Sequence, residues 1–242
     1  MTTHFLIILA VFWLLAASTL LVPQKRRTAF TRTKAEWAVD LIGLTMHGTI
    51  VPLFQTLVVY GVLAYVAPKW HGVVTMPWLA AFALNFVVID YLYYWNHRWL
   101  HSARIWRFHS LHHSGRGFDV AATSRNSAVT TFLILYIWVN GIALFLLADP
   151  TPFALAMLAS NCLDLLRHSG IGRWWDRFPG NLLISPRDHA WHHSRDLHGV
   201  NYGANLSIWD RIHGTYQASD ALPEHLGEPV EQVWSAFWKG LP

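Results

Sequence analysis

Cysteine is nearly absent: Cys162 is the only one in 242 residues. One thiol excludes a disulfide framework and any metal site built from several thiolates. Cys162 itself reads as a small apolar filler within a helix. Charge is scarce as well, with 13% charged residues against 53% hydrophobic ones. No glutamate occurs between Glu36 and Glu224. Hydrolytic zinc chemistry would therefore have only aspartate to use as its carboxylate base. No GxGxxG run and no P-loop is present, nor any internal domain repeat or low-complexity tract. The formal net charge of +4 requires no nucleic-acid partner; the basic residues read instead as marking one face of a membrane.

What the chain has is long apolar runs. The first, "FLIILAVFWLLAASTLLV" from Phe5 to Val22, approaches the roughly 20 residues that a bilayer crossing needs. Its flank "MTTH" lacks the basic start of a signal peptide, so the run reads as a membrane span. The basic stretch "QKRRTAFTRTK" follows, which sets this loop on the cytoplasmic side and the N-terminus outside. A second run, Trp37 to about Val66, is longer than one perpendicular crossing needs and contains Pro52, predicting a tilted or kinked helix. Trp70 and Trp78 are placed as interfacial anchors. A third run, "WLAAFALNFVVIDYLYYW", returns the chain to the cytoplasmic side. Two more, about 128–148 and 152–166, flank the turn signal "ADPTP" and predict a helical hairpin. The expected fold is all-α: a membrane bundle of about five spans with a cytoplasmic-side helical cap. The expected division is 1–36 for the first span and basic loop, 37–218 for the catalytic domain and 219–242 for a C-terminal tail.

The second abundance is histidine, with 15 residues. Three phrases concentrate them: "HRWLH" at 97–101, "HSLHH" at 109–113 and "HAWHH" at 189–193. Helical residues three or four apart share a face. His97 and His101 then lie one turn apart, His109 is joined by His112 and His113, and His189 by His192 and His193. Eight imidazoles gathered without a metal would be poorly solvated and mutually repulsive on protonation. Neutral imidazole suits iron, zinc, copper or nickel better than magnesium or calcium. His168 emerges at the same end of the fifth run as a ninth candidate, with Asp164 one turn before it to orient its ring. Asp90, on one stripe with Tyr94, His97 and His101, is an ionisable group inside an apolar helix and reads as outer support for the site. His47, His198 and His213 are weaker candidates.

The three phrases resemble the histidine boxes of the sterol desaturase and fatty acid hydroxylase superfamily. "NYGANLSIWDRIHGTY" at 201–216 is similar to that superfamily's C-terminal signature, and the resemblance covers about residues 80–216. It implies a membrane-embedded, non-haem di-iron oxygenase with two iron ions and dioxygen as co-substrate. Its ligand positions fall on His97, His101, His109, His112, His113, His168, His189, His192 and His193. One departure stands out: after the second box many members carry an arginine and then His-Pro, where this chain has "SRNSAVT" with Asn126 and Ser127. The fused cytochrome domain of some relatives is not expected in a chain of this length.

A site of this kind oxidises a lipid C–H bond, by hydroxylation or by desaturation. Substrate position decides which. Sterol, fatty acyl, alkyl-glycerol ether and carotenoid substrates all suit a centre at the membrane surface. With no nucleotide motif, electrons are expected from a separate ferredoxin, or from a b-type cytochrome with its reductase. Arg98, Arg104, Arg107, Arg173, Arg187 and Arg195 offer an acidic donor a basic surface, or follow only from membrane topology. Asn201 reads as a water-mediated metal contact, and Asp210 as support for the ligand histidines. The non-enzymatic alternative, a membrane metal-binding or transport protein, would place its ligands near mid-bilayer.

Overall fold

Among the described residues, four helices are long and apolar enough to cross a bilayer. Helix is the expected outcome, because lipid offers no partner to an unpaired backbone N–H or C=O. A computed structural model describes residues 2–21, 26, 29–115, 118–170, 182–227 and 230–240. Helix α1 is Thr2–Leu21. Helix α2 is Lys34–Val66, α3 is Trp78–Leu100 and α5 is Ala128–Leu146. Between α3 and α5 lies the short α4, Trp106–His109. The chain continues through α6 (Thr151–His168), α7 (Pro186–His192), α8 (Ile208–Ile212) and α9 (Val233–Lys239). No strand forms among the described residues; pairing is limited to isolated bridges. The membrane reading and the all-α class hold. Against the expected five spans, four helices among the described residues are both long and apolar enough. Helix α6, the fifth expected, carries Asn161, Asp164 and Arg167 along its length.

Helix α2 begins sharply. The Thr33 hydroxyl accepts from the Glu36 N–H at 3.2 Å, and the Glu36 carboxylate accepts from the Thr33 N–H at 2.7 Å, a reciprocal cap. With 33 residues at 1.5 Å each, α2 is about 50 Å long, well beyond the roughly 30 Å hydrocarbon core. Pro52 sits just after a π-helical turn at Met46–Ile50. A proline lacks the N–H for the turn and crowds the carbonyl four residues back; the wider turn makes room. Further π-helical turns occupy Gln55–Tyr60 in α2 and Leu84–Ile89 in α3.

Helix α5 breaks at Ile134, whose backbone is extended. The Asn96 side chain fills the break, donating to the Leu133 carbonyl and accepting from the Leu135 N–H, both at 3.0 Å. This fixes α5 against α3 one residue before His97. At Gly141 a Cβ would lie 2.8 Å from Val59 Cγ1, so the missing side chain lets α5 approach α2. The α5–α6 hairpin forms as expected. Its turn pairs with the α2–α3 connection, Val74 N–H to Leu146 O and Ala148 N–H to Val74 O, both at 2.9 Å.

Within 219–242, helix α9 turns back onto the body. Ala236 and Phe237 are buried with Val39 of α2 and with Leu111, the residue between His109 and His112.

Candidate metal centre

The histidine phrases meet at one end of the bundle. "HRWLH" closes α3, with His101 as its last hydrogen-bonded residue. "HSLHH" is only partly α-helical: His109 ends α4, and the His112 N–H bonds to the His109 carbonyl at 2.9 Å, a tighter i to i+3 turn. "HAWHH" lies on α7, whose start is set by a second reciprocal cap between Ser185 and Asp188.

All nine candidate histidines come together, in two groups. His97, His101, His109, His113 and His192 form one; His112, His168, His189 and His193 form the other. Within each group one ring nitrogen per residue lies within 4.8 Å of all the others. The groups touch where the His113 and His193 rings stack with centroids 4.2 Å apart. The second and third phrases each feed both groups, and His168 completes the smaller one.

These imidazoles are arranged to receive a metal. The Nε2 atoms of His97, His101, His113 and His192 are buried without a hydrogen-bond partner, as are both ring nitrogens of His109. A buried lone pair with no partner costs free energy, and metal coordination removes that cost. In the four-histidine group, His189 Nε2 lies 3.0 Å from His168 Nε2 and 3.2 Å from His193 Nε2. Nitrogens bound at about 2.1 Å to one metal would stand roughly 3.0–3.4 Å apart. Burial first, then the neighbouring imidazoles, push His101, His109, His112, His113, His189, His192 and His193 well below the ordinary imidazole value. They are therefore neutral at pH 7, the form that binds metal.

Outer support comes from backbone carbonyls more than from carboxylates. His97 Nδ1–H donates to Tyr202 O at 2.8 Å, His192 Nδ1–H to Val200 O at 2.8 Å, and His168 Nδ1–H to Asp164 O at 2.9 Å. Each bond fixes the tautomer and leaves Nε2 facing the centre. The Asp164 carboxylate is 3.5 Å from His168 and closer, 2.9 Å, to Arg167. Arg167 also donates to the Ala204 carbonyl, joining α6 to the 200–206 loop.

The acidic residues singled out in the sequence organise that loop. Asp90 accepts from the N–H groups of Asn205 and Leu206, from Trp209 Nε1 and from the Tyr136 hydroxyl, at 2.8–3.2 Å. Asp210 accepts from the Tyr202 and Gly203 N–H groups and from Thr215, each at 2.7 Å. Asn201, buried and at φ 53°, donates to the carbonyls of Asp188 and Gln217 and accepts from the Gln217 N–H. These three hold the loop that carries the Val200 and Tyr202 carbonyls. A Cβ on Gly203 would lie 2.6 Å from the Leu206 carbonyl and 2.8 Å from Asp210 Oδ2. Gly203→Ala is expected to displace this loop and weaken metal retention by about 10–100-fold, as loss of an outer partner does; resistance to a chelator measures it.

Other candidates lie outside both groups. His47 reaches Asn126, 3.4 Å away. His213 stacks among Tyr91, Tyr94 and Trp95, and His198 is exposed. Arg173 of the basic surface lies outside the described residues.

A buried ion-pair network, missed by the sequence reading, anchors the second phrase. Arg125 grips Asp40 of α2 through two bonds, at 2.5 and 2.7 Å, and donates to the Ser114 carbonyl at 2.9 Å. Arg32 joins Asp40 at 3.2 Å and Asp119 at 2.9 Å. A small cavity opens onto the four-histidine group between Phe118, Ala122, Leu226 and Gly227.

An all-helical membrane body carrying two imidazole clusters defines a membrane metalloprotein, and comparison with known proteins gives its family. The fatty acid hydroxylase family model matches residues 82–215, and the chain belongs to that family. It is 35% identical over 176 residues to an ornithine lipid hydroxylase of Rhizobium tropici, covering 70% of this chain and 51% of that one. It is 29% identical over 187 residues to the alkylglycerol monooxygenase of Danio rerio (74% and 41% covered) and 27% identical over 171 residues to that of Homo sapiens (63% and 37%). The chain thus spans about half or less of these curated relatives. No solved structure matches.

Proposed function

We propose that the chain is a di-iron monooxygenase that hydroxylates an unactivated C–H bond in the acyl or alkyl chain of a membrane lipid. One observation carries the reading: nine imidazoles, seven of them buried, converge in two touching groups. That donor set suits two iron ions, and the named relatives are lipid hydroxylases and alkylglycerol monooxygenases. When bound, iron supplies the activation of dioxygen. The balanced reaction takes the C–H bond, dioxygen, two electrons and two protons to an alcohol and water.

The chain's own residues bind, orient and exclude. His97, His101, His109, His113 and His192 would hold one ion, and His112, His168, His189 and His193 the other. The carbonyls of Val200, Tyr202 and Asp164 keep three of these rings in the metal-binding tautomer. Phe118, Ala122 and Leu226 set apolar side chains beside the four-histidine group, which limits water there. We assign catalysis to residues 37–218, with the active site on the cytoplasmic side and a separate protein supplying electrons. The 1–36 and 219–242 segments flank this unit. Comparative lipid mass spectrometry of cells with and without the chain, supplied with a reductase system, tests the reading. A hydroxylated lipid is expected only with the chain. An unchanged lipidome with iron fully loaded would count against it.

A further inference from the structure

We propose that helix α9 is a membrane-surface anchor: Trp234 and Trp238 enter the headgroup layer of the bilayer that the chain spans, and the opposite face of α9 thereby holds the second histidine phrase in place. The depth of α9 is independent of the monooxygenase reading; its hold on the histidine phrase rests on the metal centre.

Helix α9 has two unlike faces. Ala236, Phe237 and Gly240 are buried and Val233 is partly buried, the spacing of one inward stripe. This stripe packs in one cluster with Val39 near the start of α2, Ala128 at the start of α5, and Leu111 between His109 and His112. A Cβ on Gly240 would lie 2.7 Å from the Arg107 carbonyl, so the end of α9 sits directly against α4. The other stripe carries Trp234 and Trp238, one turn apart and 45% and 64% exposed.

The partners of α9 fix its depth. Val39 lies five residues into α2, about 7.5 Å along the axis. Helix α2 exceeds the hydrocarbon core by roughly 20 Å, which shared evenly leaves about 10 Å at each end among the headgroups. Asp40, next to Val39, pairs with Arg32 and Arg125, charges that hydrocarbon would disfavour. One residue further, the apolar Leu41 is 59% exposed, where the lipid-facing surface of α2 begins. Helix α5 starts at this level too, with Ala128 against α9 and Phe132 exposed one turn on. Helix α9 therefore lies across the ends of two spans, at the height of the headgroups. Tryptophan suits that layer, because the indole has an apolar body and one N–H donor. Phe30, exposed just before α2, stands at the same end. A water-soluble partner would have to approach flush with the membrane to cover this face.

Leu111 gives the contact its consequence. It is fully buried, and His109 and His112 on either side of it enter different imidazole groups. An α9 released from the surface would loosen its packing on Leu111, and with it both groups.

The test uses the full chain in phosphatidylcholine nanodiscs, with Cys162→Ala removing the native thiol and a nitroxide attached at Trp238→Cys. Calibrated against nitroxide lipids, the label should lie about 5–10 Å into the headgroup and acyl boundary, open to oxygen and shielded from a water-soluble nickel chelate. Iron release to a chelator is the second measurement. The double variant Trp234→Ser, Trp238→Ser should release iron about tenfold faster, the scale of losing outer support. Trp234→Tyr with Trp238→Tyr keeps interfacial aromatic rings and should retain iron like the parent. A label as open to the nickel chelate as to oxygen overturns the anchor. Dipolar coupling between labels on two chains does so as well, by putting a second copy on this face. A label within the lipid layer, with iron release unchanged in the serine variant, overturns the link to the histidine phrase. Equal loss in the serine and tyrosine variants also overturns that link, by making the indoles part of the protein's own packing. If the unaltered chain binds no iron, the metal reading fails, while the label still reports where α9 lies.

Discussion

His192→Ala is expected to abolish turnover and release metal while leaving membrane insertion intact. The His192 ring sits at the middle of the larger group, 4.5 Å from His97, 4.8 Å from His101 and 4.7 Å from His113 between centroids. Its Nε2 is buried and unpartnered, and its Nδ1–H is already held by Val200. Alanine removes a donor that no neighbour can replace, since each remaining imidazole is fixed by its own helix or turn. The loss should exceed the roughly 10–100-fold that follows removal of an outer partner. His112→Ala should do the same to the smaller group. Metal content and turnover of purified variants check both; near-normal turnover would remove that residue from the ligand set.

Asp40→Asn is expected to produce the largest loss of stability. Asp40 is fully buried and answers two guanidiniums, those of Arg125 and Arg32. Removing the carboxylate strands a buried positive charge, a change worth about 3–5 kcal/mol. The damage should reach the metal centre, because Arg125 also holds the Ser114 carbonyl beside His113. Replacing Asp40 and Arg125 together by leucine and methionine should restore much of the stability, since a well-packed apolar pair tolerates burial better than a lone charge. Thermal unfolding of the single and double variants in one detergent provides the measurement. A single variant as stable as the parent would show that the network contributes little.

The histidine phrases made the centre legible in the sequence. Side chains at i, i+3 and i+4 share a face whether the backbone is a full helix or, as at His109–His113, a shorter turn, so the residues that converge could be named before the fold was seen. His168 was legible because it ends an apolar run level with the others. The supports were less so. Asp164 and Asp210 stand near the ligands, but the acceptors used are carbonyls, and every residue carries one. Only the loop's path, set by Asp90, Asp210, Asn201 and Gly203, decides which carbonyl meets which imidazole. The Asp40–Arg125 pair joins residues 85 positions apart, and nothing in local spacing announces it. Helix α9 escaped notice because it is only seven residues long and its order comes from packing on Val39 and Leu111.

The most direct test of the account combines a metal count with an isotope. The purified protein, loaded anaerobically with ferrous iron, is given a membrane lipid extract, a reductant and labelled dioxygen. The account predicts two irons per chain and a hydroxylated lipid that carries one labelled oxygen atom, with no product when iron, reductant or dioxygen is withheld. Two bound irons with no labelled lipid in the complete mixture, or labelled lipid formed equally well by the His192→Ala variant, would contradict it.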